Sequence, residues 1–347
     1  MTTRRFEFCQ LRLALWLGSA SLLSSPTLAE DDLAAPMDEV VVSGEFPGPG
    51  MWKVTSANAE GHVLWIVSEP PPLPKRMKWK SKDVEAVAVG AQEILRDSAV
   101  SMEPDEKIGF FRGMTLLPAM LEARRNPEDA KLKDLVPPSL YARWLVQKKL
   151  YLGRESGVES WRPLFAADKL RKAAFDDLKL REGGVVWSVI GKLAEKHKIK
   201  VTSPMLRFTI KRSEVRTKLK EFSRESLPDV ECFGTMLAFT EALGDRDTQN
   251  ARAHAWAVGD HEVLTQLPAL PSPYLPCAMA VMSSQVAREF IPADIREQVH
   301  ALWLDAAEKA LAANQTTFAI VPFVKLTRTD GYLAMLRNKG YRIDAPQ

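Results

Sequence analysis

Residues able to do chemistry are sparse in this chain and thinly clustered. It holds five histidines, and only His254 and His261 stand close together, seven apart with Asp260 between them. Seven residues make two helical turns, which would put both rings on one face. Gly259-Asp260 reads as the end of that helix, however, and zinc ligands on one helix are usually about four residues apart. The pair is therefore read as solvated histidines rather than metal ligands. His62 falls at a turn and His197 follows a helix end, neither with a visible partner. No Gly-x-Ser-x-Gly elbow, phosphate-binding loop or dinucleotide fingerprint occurs. Two basic stretches stand out, Lys75-Arg76-Met77-Lys78-Trp79-Lys80 and Lys211 to Arg224. Such segments can meet an anionic lipid, a polysaccharide or a nucleic acid, but the plainer reading of the first is a solvated loop before a helix.

The elements that must position these residues begin after an export signal. A short basic head carrying Arg4, Arg5 and Arg12 leads into the apolar run Leu13 to Leu23, and Pro26 and Thr27-Leu28-Ala29 close it. The run suits the h-region of a signal peptide and is too short for a transmembrane helix, which takes about 20 apolar residues. Cleavage is expected after Ala29, giving a periplasmic or secreted protein, and no later segment is long and apolar enough to span a bilayer. Without residues 1–29 the chain is nearly neutral, which gives no bulk electrostatic case for nucleic acid. Only Cys232 and Cys277 follow the cleavage point. In an oxidising compartment they are expected to form a disulfide, the alternative being two buried free thiols.

Residues 30–50 read as a flexible lead-in, with an edge strand at Glu39 to Ser43 and a loose Phe46-Pro-Gly-Pro-Gly50. Residues 51–347 read as a single domain. Met51 to Thr55 and Val63 to Val67 are expected as strands, followed by a proline loop at Pro70 to Pro74. A helix is expected from Ser81 to about Asp97 and a short strand at Ala99 to Met102. The stretches 108–197 and 213–312 are read as mostly helical, with a strand at Lys198 to Thr202 between them. Thr316 to Val321, a helix from Asp330 to Asn338 and a strand at Tyr341 to Ile343 finish the chain. Strands at both ends with helices between give the fold class, α/β to α+β, a mixed sheet packed by many helices.

Four features resemble the TraB/GumN family in their order. They are Trp52-Lys53-Val54; Val63-Leu-Trp-Ile-Val67 running into the proline loop; Ala255-Trp256-Ala-Val-Gly259-Asp260; and Thr317-Phe-Ala-Ile-Val321 followed by Gly331, Leu336 and Gly340-Tyr341. The resemblance implies a hydrolase-like fold with the first and last long strands in one sheet and their exit loops on one rim. Members thought to be catalytic carry a Gly-x-x-His motif after each of these strands. Glycine lets the chain turn and histidine then meets a metal. Here the matching positions read Val67-Ser68-Glu69-Pro70 and Pro322-Phe323-Val324-Lys325, so both motifs are broken. The family's acidic segment matches Glu103-Pro104-Asp105. The resemblance therefore implies a former metal site made of Ser68, Glu69, Pro70, Glu103, Asp105 and Lys325, now without cofactor. Lys325 is expected to lie beside Glu103 or Glu69 and to replace the lost cation, or else to point into solvent.

These readings favour a non-catalytic protein that binds an unknown ligand or envelope partner in the former cleft. A hydrolase with chemistry rebuilt on Glu103, Glu69 and Lys325 and a cell-envelope or exopolysaccharide assembly factor are the alternatives. Fold alone does not choose among them.

Overall fold

The computed structural model describes residues 48–56 and 61–346. The segment read as an export signal, most of the segment read as a lead-in and the strand read at Glu39 to Ser43 lie outside the described residues. The last residues of the lead-in are packed: Gly48 and Pro49 are buried, and the Gly48 amide donates to the Ala257 carbonyl at 3.0 Å.

Among the described residues ten strands form the β-structure: β1 Met51–Thr55, β2 Val63–Glu69, β3 Leu73–Pro74, β4 Glu93–Arg96, β5 Ala99–Pro104, β6 Leu180–Arg181, β7 Lys200–Thr202, β8 Met205–Ile210, β9 Thr316–Pro322 and β10 Arg342–Asp344. Six of them make one sheet in the order β10-β1-β2-β9-β4-β7. β2 and β9 run parallel in continuous register, from Val63 opposite Thr316 to Glu69 opposite Pro322. Both are β-branched and aromatic, which suits central positions covered on both faces. β4 extends the parallel part on the far side of β9, and β1 pairs antiparallel with β2. The sheet is mixed, as expected, and its first and last long strands are neighbours.

Alternation along the strands sorts side chains into two cores. Val67, Phe318, Ile320 and Ile94 face the helices Lys82–Gly90, Trp187–His197 and Arg246–Ala257. Leu64, Ile66, Ala319, Val321 and Leu95 face the helices Ile295–Ala313 and Tyr332–Asn338. A third core belongs to helices alone, Pro138–Tyr151, Pro163–Asp177, Val230–Leu243 and Tyr274–Met282, around Trp144, Phe233 and Leu237. Cys232 and Cys277 are bonded to each other beside it, with Cα atoms 4.5 Å apart.

Two expectations change. The helix expected from Ser81 to Asp97 stops at Gly90, and Glu93–Arg96 is β4. Ile94 and Leu95 are both fully buried, one in each of the two sheet cores. A short apolar run buried on two sides carries no period that separates strand from helix. The second change is β8, which was not expected and which pairs with β5 in a separate parallel ribbon.

The disulfide closes a loop with a sequence separation of 45. Chain entropy of the unfolded state then gives it about 4 kcal/mol of stabilisation. Urea unfolding with and without a thiol reductant should differ by about that amount; identical midpoints would show that the bridge constrains nothing.

Candidate functional site

Parallel strands deliver their ends to one rim. The exits of β2, β9 and β4 lie there, as does the start of β1, since Met51 is opposite Val67. The helix Arg246–Ala257 closes this rim. Its Trp256 is fully buried and donates Nε1–H to the Ser68 carbonyl at 3.2 Å. Gly259 has φ +73°, and a Cβ there would come within 2.9 Å of the Gly50 amide nitrogen, so no other residue fits. Asp260 then caps the next helix by accepting from the Val263 amide at 2.9 Å.

Between the β2 and β9 exits lies a cavity of about 390 Å³. Its wall is built largely of prolines, Pro70, Pro71, Pro72, Pro268, Pro271, Pro273 and Pro322, with Phe323, Leu264 and Phe239. Proline has no amide hydrogen and a fixed φ, so this wall is rigid and poor in donors. Two ionisable groups reach it. Glu69 Oε1 accepts from the Val186 amide at 3.2 Å, at the start of the helix Trp187–His197. Burial pushes the Glu69 carboxyl above the ordinary carboxylate range, partly offset by the amides of Val185 to Trp187 and by Arg96. Arg252 is buried and donates Nη2–H to the Pro268 carbonyl at 2.6 Å. Its Nη1 has no hydrogen-bond partner among the described residues, and burial draws its guanidinium below the ordinary value.

The family model described as the TraB/PrgY/gumN family matches residues 50–345. The chain belongs to that family. No curated protein and no solved structure matches it. Within the TraB/PrgY/gumN frame, the Trp256 to Asp260 segment fixes the rim through the contacts just described. The two motif positions are level only in part: Pro322 opens the second motif opposite Glu69, the third residue of the first.

The site residues read from the sequence do not all meet. Glu69, Pro70, Pro322, Phe323 and Val324 line the cavity. Ser68 is buried beneath it, and its Oγ has no hydrogen-bond partner among the described residues. Glu103 and Asp105 lie elsewhere. β5 leaves the main sheet to pair with β8, and there Glu103 accepts from Ser101 Oγ at 2.6 Å and Asp105 from the Arg212 amide at 2.8 Å. Lys325 sits beside neither Glu103 nor Glu69. After Pro322 the chain turns into the short helix Phe323–Thr327, whose Leu326 is buried in the second core. Lys325 Nζ consequently meets Asp97 Oδ2 at 2.7 Å, just past the end of β4. Asp97 Oδ1 also accepts from the Tyr332 hydroxyl at 2.9 Å, and the Tyr274 ring lies 5.4 Å from the ammonium. The expected partners are thus replaced by Asp97, six residues before Glu103. Asp97 was hidden because the sequence reading carried a helix through β4.

The donor set does not suit a divalent metal. Proline at position 70 offers no ligand, Lys325 brings a positive charge, and no three His, Cys, Asp or Glu side chains converge among the described residues. His261, read as solvated, is instead packed at the rim. Its ring lies 4.2 Å from that of Trp52 and stacks on Phe323 at 6.2 Å. Burial lowers its pKa to about 4.

Two outcomes follow for stability. His261 stays neutral in the fold while the unfolded chain takes up a proton near pH 6.5, so its contribution is full above that pH and is lost as pH falls towards about 4. Urea midpoints across this window should fall less in His261→Phe than in the parent; parallel curves would refute the burial argument. Glu69 and His300 titrate in both proteins and cancel from the difference. Separately, Lys325→Met leaves the Asp97 carboxylate, 21% exposed, without its cation. It should cost about 1–3 kcal/mol in urea unfolding, against almost nothing if the pair were merely a surface contact.

Proposed function

We propose that this protein is an exported, non-hydrolytic member of the TraB/PrgY/gumN family that holds a small apolar ligand in the rim cavity. The observation that carries the reading is the fate of the two histidine positions. One is Pro70, which walls the cavity, and the other is Lys325, whose ammonium is engaged by Asp97. The proline wall supports ligand binding, because a rigid, mostly apolar concavity of this size loses little entropy when filled. The leader read at residues 1–29 supports export.

A second reading is kept by Glu69. A carboxyl raised by burial and reaching a cavity is the form a general acid takes. In that case the protein is a hydrolase whose chemistry runs without the histidine pair.

Metal analysis of the purified chain, beside a peptidase and esterase screen, tests the proposal. Substoichiometric divalent metal and no turnover are expected. Stoichiometric metal with metal-dependent turnover would sink it. Turnover that needs no metal and disappears in Glu69→Gln would select the second reading.

A further inference from the structure

The helix Phe110–Ala123 is turned opposite to a helix that faces water. Its small residues Ala119 and Ala123 are buried, while Met114, Leu117, Met120 and Leu121 are 54%, 44%, 53% and 46% exposed. A water-facing helix places its large apolar residues inward. Here positions 114, 117 and 121 run along one outward stripe, and no charged residue interrupts the segment from Gly113 to Leu121.

The basic segment singled out in the sequence lies beside that stripe. Arg212, Arg216, Lys220 and Arg224 recur at every fourth residue into and along the helix Val215–Arg224, which places them on one face. Arg216 Nη2 donates to the Thr115 carbonyl at 2.9 Å, next to Met114. Arg212 pairs with Glu106 at 2.7 Å, while Arg216, Lys220 and Arg224 are exposed and join no ion pair among the described residues. The two helices are held together from below. The buried Arg162 guanidinium donates to the Ala123 carbonyl at 3.0 Å and the Phe222 carbonyl at 2.7 Å, near the C-terminal end of each.

We propose that this face docks on the surface of an anionic lipid bilayer. The apolar stripe enters the boundary of the acyl region and the basic stripe meets the lipid phosphates. Four partly exposed side chains offer roughly a few hundred Å², well short of the about 800 Å² that each partner gives to a stable protein interface. A bilayer surface needs no matching shape and accepts a narrow apolar stripe flanked by lysine and arginine. Each basic side chain held near an anionic surface adds to the attraction. The docking is peripheral, since no helix among the described residues is long and apolar enough to cross a membrane.

The test places an environment-sensitive fluorophore on the purified full chain at Leu117→Cys. A reference label goes at Val146→Cys, a residue 64% exposed on the helix Pro138–Tyr151. Both are made in a Cys9→Ser background, where Cys232 and Cys277 are occupied by each other. Vesicles of phosphatidylglycerol should shift the label at 117 to the blue and leave the label at 146 unchanged, and phosphatidylcholine vesicles should shift neither. Lys220→Glu with Arg224→Glu should weaken the partition by more than about tenfold. Because the labels report locally, an apolar leader left on the chain does not imitate the result. No shift at 117, an equal shift at 146, or indifference to the charge reversals would overturn the proposal. A blue shift at 117 that grows with protein concentration in the absence of vesicles would overturn it too, in favour of contact between two copies.

Discussion

The parallel ladder between β2 and β9 is the constraint on which the rest of the molecule depends. Strands separated by about 250 residues cannot be joined by a turn, so the whole intervening chain is a crossover that must return to the same edge. The return fixes three things together. It buries two runs of β-branched residues on both faces, it creates a core on each side, and it brings both exit loops to one rim. Shifting the register by one residue would reverse which core each side chain enters. With Leu64 and Ile66 packed on one side and Val67 on the other, such a slip has nowhere to go.

The same ladder explains why Lys325 finds Asp97. β4 runs parallel to β9 on the side away from β2, with Arg96 opposite Ile320, so the residue after β4 emerges near the end of β9. The short helix after Pro322 then turns Lys325 towards β4 rather than towards the cavity. The resulting pair is about four-fifths buried on each side. Desolvation makes such a pair costly unless the remaining lone pairs are satisfied. The Tyr332 hydroxyl supplies that bond on the other carboxylate oxygen, and the Tyr332 ring stacks on the buried Trp303 at 4.0 Å. The pair is thus tied into the second core and cannot be understood as a surface contact.

How much of this was legible depended on whether burial left a period in the sequence. The strands at Val63 and Thr316 were legible because β-branched runs of that length between turn signals have few other uses. β4 was not, because Glu93–Arg96 follows a helix after only Ala91 and Gln92 and is buried on both sides. That error concealed Asp97, while Glu103 came from the resemblance to the family's acidic segment. The acidic pair Glu103 and Asp105 was real in sequence and misplaced in space, because the pairing of β5 with β8 depends on a partner about 100 residues away. His261 failed for a related reason. The end of the preceding helix before Gly259-Asp260 was read correctly, but nothing local revealed Trp52 and Phe323, which come from opposite ends of the chain.

Under the reading proposed above, two of the broken motif positions have become one device. Pro70 stands where a histidine would hold a metal and Pro322 where a glycine would let the chain turn, and both now line the same cavity. A proline removes a ligand or a flexible hinge, and it also fixes φ and deletes an amide donor. A metal site needs electron-pair donors at its rim. A cavity for an apolar guest needs stiff walls with few polar groups to leave unpaired. The substitutions that oppose metal chemistry at this rim are therefore those that favour apolar binding. Arg252 is the exception inside that wall. Its Nη2 is spent on the Pro268 carbonyl, which holds the segment to Pro273 in place, while Nη1 is left without a partner. A buried cation with an unmet donor is the least satisfied polar group of the wall, so a guest carrying an acceptor close to it would gain more there than anywhere else along the prolines.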